Sequence, residues 1–278
     1  MKKTPDVQLS IIIPAFNEAN YITDCLNSLA CQKDAPSFEV IVCDNNSTDA
    51  TAYLTKNHPL KPILVTEMKR GVTHARQRAF EQTKGHIIVS TDADCTYNEL
   101  WLRNIYQHFQ MNSKIVGLAG NYYFYNGPLW SKIFPYMGSV AVWLVSKIFK
   151  RTIYASATNL SFIRSSFSGY DCSLPQGADE RGVLRQIQKY GLVKVTLSNG
   201  VYTSARRVRK GFLHAIFVTI FYYYTLNVWQ TKFSGRSKIG NQPVIREEKQ
   251  SILVVEFIEW LVFVLVVMLV VILTERHL

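Results

Sequence analysis

Residues 86–95 read HIIVSTDADC, an apolar run that stops on two aspartates, Asp92 and Asp94, one residue apart. The run has the length and composition of a buried strand. If the strand continues past it, both carboxylates point the same way, and their repulsion has to be offset by something positive. A cation is the simplest source.

Working outward, QLSIII (8–13), FEVIVC (38–43), PILVT (62–66) and KIVGLAG (114–120) are similar short apolar runs. The stretches between them carry helical spacing, as in Ile22/Leu26/Leu29 and Trp101/Ile105/Phe109. Alternation of this kind predicts an α/β fold, a mostly parallel central sheet flanked by helices. Ligands of such sheets sit beyond the carboxyl ends of the strands. Pro14 to Glu18, Asp44 to Asn46 and Asp92 to Asp94 all fall there, so three polar clusters are expected on one edge. Beyond residue 120 the rhythm breaks. Aromatics gather at Tyr122, Tyr123, Phe124 and Tyr125, and YASATNLSFIRSSFSGYD (154–171) reads as a polar turn. Residues 121–200 are expected to form a second half of the same catalytic unit.

The chain of 278 residues has ample apolar content for a sizeable core and a formal charge of +11. Its five cysteines lack C-x-x-C spacing, and the first residues have no apolar signal core. A reducing, cytoplasmic setting with cysteines as ordinary packing residues is expected. Positions 203–249 hold nine Lys/Arg against two Glu, interleaved with Phe, Tyr and Trp beside long apolar runs. That pattern suits an anionic membrane face better than nucleic acid, so membrane lipids are expected as partners and nucleic acid is not. Residues 252–273 are long and apolar enough to span a bilayer. The uncharged run 211–229 fits an in-plane helix better, because a second span would translocate the basic linker after it. Three parts are therefore expected: a catalytic domain over 1–210, an interfacial helix and basic linker over 211–250, and a transmembrane anchor over 251–278. The expected location is the inner (cytoplasmic) membrane, with the catalytic domain in the cytoplasm and a single C-terminal anchor.

Carboxylate oxygens suit Mg²⁺ or Mn²⁺, hard ions that keep waters and bind substrate phosphates. No His/Cys cluster with zinc spacing accompanies the pair, and Cys95 reads as structural. Neither G-x-x-x-x-G-K-[ST] nor G-x-G-x-x-G occurs in the chain. In their place, Asp44 can accept from a base N–H and Glu18 from ribose hydroxyls. Ser47 or Thr48 is expected to cap the following helix. Glu180 to Tyr190, with Val183, Leu184 and Ile187 as a stripe, predicts a helix with Asp179 and Glu180 at its N-terminus. On those residues alone the acids are either a favourable first-turn pair or part of the chemistry.

In order and spacing, LSIIIPAFNEANYI, VIVCDNNSTDAT, GVTHARQRAFEQTKGHIIVSTDADC, TNLSFIRSSFSGYD and GADERGVLRQIQKYG resemble the family 2 glycosyltransferases of the GT-A (Rossmann-like) fold, over residues 8–210. The resemblance implies transfer of a sugar from a nucleotide-sugar donor, carrying UDP or GDP, to a hydroxyl acceptor with inversion. It implies that Pro14, Ala15, Asn17 and Glu18 contact the nucleoside and Asp44 the base. Arg76 would lie near base and phosphates, Asp92, Ala93 and Asp94 would form the donor and metal motif, and Asn159 would belong to the acceptor side. The catalytic base would be Glu180 by register, with Asp179 as the alternative. Ser204 stands where many relatives carry a metal-holding histidine, which puts a third metal ligand in doubt. SARRVR (204–209) lacks the Q-x-x-R-W pattern of polymerising relatives, which favours transfer of one sugar. Arg206, Arg207 and Arg209 stand either for diphosphate contacts or for a lipid-facing collar. The anchor points to a lipid-linked or glycan acceptor, with Leu129 to Phe149 helping to form its apolar wall. Two other readings remain: a sugar-phosphate nucleotidyltransferase, and a non-catalytic membrane adaptor whose sheet binds nucleotide.

Overall fold

The computed structural model describes residues 7–174 and 179–211. The expected linker and transmembrane anchor lie outside the described residues. The chain divides into two compact units, one of residues 1–125 and 132–204, the other of 126–131 and 205–278.

The first unit is built on β1 (Leu9–Ala15), β2 (Phe38–Asp44), β3 (Ile63–Thr66) and β4 (Ile87–Ser90), which pair in parallel. Beside β4 lies β8 (Leu160–Ile163), antiparallel, followed by β6 (Ile115–Ala119) and β9 (Leu192–Val195), giving the order β3-β2-β1-β4-β8-β6-β9. A smaller sheet joins β5 (Cys95–Tyr97), β10 (Val201–Ser204) and β7 (Tyr122–Tyr125).

The strand period of two sorts the core into two layers. Ile11, Ile13, Val40, Val42, Ile87 and Val89 face one cluster, with Ile22, Leu26 and Leu29 of α1 (Ile22–Ala30) and Trp101, Ile105 and Phe109 of α4 (Trp101–Met111). Ile12, Ile41, Cys43 and Ile88 face the other. There they meet Ala75 and Ala79 of α3 (Val72–Glu81) and Val183, Leu184 and Ile187 of α6 (Asp179–Ile187). The expected α/β architecture and its helical stripes are all present. Burying a strand on both faces removes its polar alternation, which is why these strands read as continuous apolar runs.

One expectation changes. The polar turn over 154–171 contains β8, a central strand whose Leu160 and Phe162 are fully buried. Four residues flanked by serines, threonine and arginine gave too short a period to read, and only pairing on both sides makes them a strand. Residues 129–149 form one helix, α5 (Leu129–Phe149), despite Pro135 within it. Of the cysteines, Cys25, Cys43 and Cys95 are packing residues as expected, while Cys31 is exposed.

Candidate functional site

β4 ends at Ser90, and Asp92 and Asp94 lie in a turn that leads into β5. The backbone amide of Cys95 closes it on the carbonyl of Asp92 at 3.3 Å. The two carboxylates are thus on one side because the chain turns, not because a strand continues. One oxygen of each and the Cys95 Sγ all lie within 4.8 Å of one another.

The repulsion between these acids is met from within the protein. Arg76, on α3 and only 4% exposed, donates from Nη2 to Asp92 Oδ1 at 2.8 Å and from Nη1 to Asp179 Oδ2 at 2.8 Å. Burial opposes the charge on this guanidinium, but Asp92, Asp179 and Glu180 outweigh it and raise its pKa above the ordinary arginine value. A single buried arginine therefore ties the strand-end acid to Asp179, 103 positions along the chain from that arginine and at the N-terminus of α6. The second Asp92 oxygen accepts from Thr158 Oγ1 at 2.8 Å. Asp94 Oδ1 accepts from Thr203 Oγ1 at 3.2 Å, and its carbonyl accepts from the amide of Ser204 at 3.2 Å.

Two half-buried carboxylates this close fit a hard divalent ion whose other positions are filled by phosphate and water. Cys95 does not suit such an ion, because Mg²⁺ and Mn²⁺ take hard oxygen ligands and not thiolates; burial first, and then Asp94 and Asp92, hold its thiol well above the usual range. At the position expected to put a third ligand in doubt, β10 offers the Thr203 hydroxyl and the Ser204 amide. Mg²⁺ or Mn²⁺ would be held by Asp92 and Asp94.

Asp179 and Glu180 are close enough to share a hydrogen bond, and Glu180 has one buried carboxyl oxygen, Oε2, with no partner among the described residues. Burial, followed by the charge and hydrogen bond of Asp179, pushes the Glu180 pKa well above the ordinary glutamate value, while Arg76 pulls the other way. Glu180 therefore keeps its proton to higher pH than a free glutamate.

At the end of β2, Asp44 accepts from the Ser47 amide through Oδ2 at 3.3 Å. Its Oδ1 is buried and has no partner among the described residues. A buried acceptor left open is costly unless a ligand donor completes it. Pro14 and Ala15 end β1, and Asn17 follows with φ 52°, a conformation asparagine tolerates. The Asn17 side chain accepts from the Thr48 amide at 2.8 Å, and the Ser47 hydroxyl accepts from the Asn17 amide at 2.9 Å. Ser47 and Thr48 thus bind the β1 and β2 loops together and do not cap a helix. The N-cap of α2 (Thr51–Lys56) is Ala50, without a side-chain cap, and Asp49 Oδ1 accepts from the Thr51 amide at 2.9 Å just before it. Glu18 is buried, its amide donating to Thr51 Oγ1 at 2.7 Å.

Asn159 is brought to the same sheet but turned inward. Its amide donates to the carbonyls of Asn121 and Asn199 at 2.8 Å and accepts from Trp101 Nε1 at 3.3 Å. The neighbour Thr158 is the residue that reaches Asp92. Ala93 is buried in the turn between the acids. Asn45 binds the carbonyls of Glu67 and Lys69 and accepts from the Gly71 amide, each at 2.8 Å, and so fixes the entry to α3 and the position of Arg76. Gly71, at φ 139°, permits that entry. Sequence reasoning named neither Thr158, Thr203 nor Asn45 for these roles, since threonine and asparagine carry no signal until a carboxylate or carbonyl is placed beside them. Arg206, Arg207 and Arg209 belong to the second unit, where Arg209 Nε donates to the Asn126 carbonyl at 2.8 Å.

This mostly parallel sheet, with acids beyond its strand ends, has a GT-A-like architecture. The same fold is seen in the mannosyltransferase PcManGT from Pyrobaculum calidifontis, solved with GDP-Man and Mn²⁺. Its TM-score is 0.56 at 22% identity, over 73% of this chain and 61% of that one. Residues 10–175 match Glycosyl transferase family 2, and the chain belongs to that family. Among curated relatives, Glycosyltransferase AglE of Haloferax volcanii is 35% identical over 99 residues, 34% of this chain and 33% of that protein. WfgD of Escherichia coli, a UDP-Glc:alpha-D-GlcNAc-diphosphoundecaprenol beta-1,3-glucosyltransferase, is 28% identical over 122 residues, 42% of this chain and 46% of WfgD. The matches span less than half the length of these curated relatives.

Proposed function

We propose that this protein transfers one sugar, with inversion at the anomeric carbon, from a UDP- or GDP-linked donor to a hydroxyl of a lipid-linked or other membrane-associated glycan. The reading also puts it on the cytoplasmic face of the inner membrane. Family membership supports the reaction class. The WfgD likeness supports a lipid-linked acceptor, and the PcManGT likeness a donor bound with a divalent ion.

The observation that carries the reading is Arg76 at 2.8 Å from both Asp92 and Asp179, which joins a metal-type acid pair to a second acid pair. The open Asp44 Oδ1 takes a donor N–H of the base, beside the loop of Pro14, Ala15, Asn17 and Glu18. Asp92 and Asp94 would hold a divalent ion, which would neutralise charge on the departing diphosphate. Thr158 and Thr203 keep those carboxylates in one orientation. The acceptor hydroxyl loses its proton to the Asp179–Glu180 pair. Asp179, salt-bridged to Arg76, is the proton acceptor, and Glu180, whose pKa burial raises, shares a hydrogen bond with it. This choice reverses the order that register alone favours.

A thermal-shift screen of UDP- and GDP-sugars with Mn²⁺ or Mg²⁺ identifies the donor, since a ligand selective for the folded state raises the melting temperature. With that donor, Asp92→Asn/Asp94→Asn lowers turnover by about 10²–10³-fold. Asp179→Asn lowers it by about 10²–10⁴-fold, the usual worth of a positioned base, and Glu180→Gln lowers it by less. Undiminished turnover in the Asp92/Asp94 variant would falsify the reading. No stabilisation and no turnover with any donor leaves an adaptor, and turnover of nucleoside triphosphate with sugar phosphate makes the protein a nucleotidyltransferase.

A further inference from the structure

α5 breaks the rule that apolar side chains go inside. Its Ile133, Met137, Leu144 and Ile148 are all exposed, Ile148 at 71%, and their spacing puts them on one stripe of the helix. The other side is fastened to the first unit, where Ser139 Oγ donates to Asn121 Oδ1 at 2.6 Å. A continuous exposed apolar stripe marks an interaction surface.

At the C-terminal end of the stripe is a cavity of about 770 Å³. Phe149, Lys150, Arg151, Arg185, Lys189 and Leu192 are among its lining residues, and none of the lining residues is acidic. Hydrogen bonds from Thr152 Oγ1 to the Val193 carbonyl (2.7 Å) and from Gln188 Nε2 to the Thr152 carbonyl (3.0 Å) hold its walls together. All four cations are exposed, and none pairs with an acid among the described residues. The sequence is one-sided here too. Residues 100–170 contain seven Lys/Arg and no Asp or Glu, and no acid occurs between Glu180 and Glu247.

We propose that this face docks on a lipid bilayer rich in anionic phospholipid, with α5 lying in the plane, its stripe at the headgroup boundary and the cavity taking phosphate headgroups. Aliphatic side chains in a stripe have no use on a nucleic acid, whereas an apolar stripe ending in a cationic cluster complements an anionic interface on both counts. Among the described residues no helix is long and apolar enough to cross a membrane, so α5 lies on the surface and does not span it. The inference stands on α5 and the cavity alone and does not depend on sugar transfer.

The test uses the full chain with Cys31 and Cys172 replaced by serine. An environment-sensitive dye is attached at Ile148→Cys or, as a control on exposed α2, at Tyr53→Cys. Vesicles are neutral phosphatidylcholine with or without phosphatidylglycerol, and carry spin-labelled lipid as quencher. The dye at 148 is expected to shift blue and be quenched in anionic vesicles, while the dye at 53 is not. Lys150→Glu/Arg151→Glu/Arg185→Glu/Lys189→Glu is expected to need at least about tenfold more anionic lipid for the same quenching. Should that variant not fold, the neutral and anionic arms of the unreversed protein still decide. A dye at 148 that lipid does not quench, whether in water or covered by protein, overturns the proposal. So does quenching that ignores lipid charge.

Discussion

At the end of β4 and the N-terminus of α6, Asp92 and Asp179 converge on one buried arginine, whereas along α5 and its cavity cations stand in solvent with no acid paired to them among the described residues. The first region removes charge from water and must satisfy it internally, so Asp92 alone draws on Arg76 and Thr158. The second keeps its charge hydrated and its apolar stripe uncovered. Buried charge needs partners built into the fold, while exposed charge is free to be matched by something outside it.

Three measurements bear on that contrast. The largest effect is expected from Arg76→Met. Removing one partner strands Asp92 and Asp179, and breaking a buried pair in this way costs about 3–5 kcal/mol, readable as a lowered denaturant midpoint. A loss below about 1 kcal/mol would move this ion-pair network to the solvated side of the comparison.

Next comes the pH dependence. Glu180 has a raised pKa in the folded state, so between the ordinary glutamate value of about 4.5 and that raised value the native protein holds a proton the unfolded chain has released. Stability from this group is complete below the unfolded value and declines as pH rises through the folded one. Glu180→Gln therefore gains stability relative to the parent as pH goes from about 5 to about 8, measured by parallel melts. An unchanged difference across that range would mean Glu180 is solvated.

The smallest effect is Ile148→Ser, which is expected to change stability by no more than about 0.5 kcal/mol because the side chain is already in solvent. A loss of about 2 kcal/mol or more would mean α5 is covered in the folded chain.

Much of the first unit was legible in order of residues. Apolar runs at 9–13, 40–43 and 87–89 are strands because both faces are buried, and the stripes of α1, α4 and α6 are helical because only one is. β8 was not legible, since four residues among polar neighbours become a strand only between β4 and β6. The same holds inside the site. Asp44, Asp92, Asp94, Asp179 and Glu180 stand out as acids at element ends, but Thr158, Thr203 and Asn45 are ordinary residues until a partner is placed beside them. Asn159 is the converse case, a residue singled out by resemblance whose amide is spent on Asn121, Asn199 and Trp101.

By itself the sequence determined the α/β class, the family and the acids at the strand ends, because periodicity and short-range spacing are properties of the chain alone. Only the tertiary structure decided that Arg76 answers both Asp92 and Asp179, that burial beside Asp179 raises the Glu180 pKa, and that α5 leaves its stripe in water. Each of these depends on which distant group lies within a few ångströms and on whether water is there, and folding alone sets both.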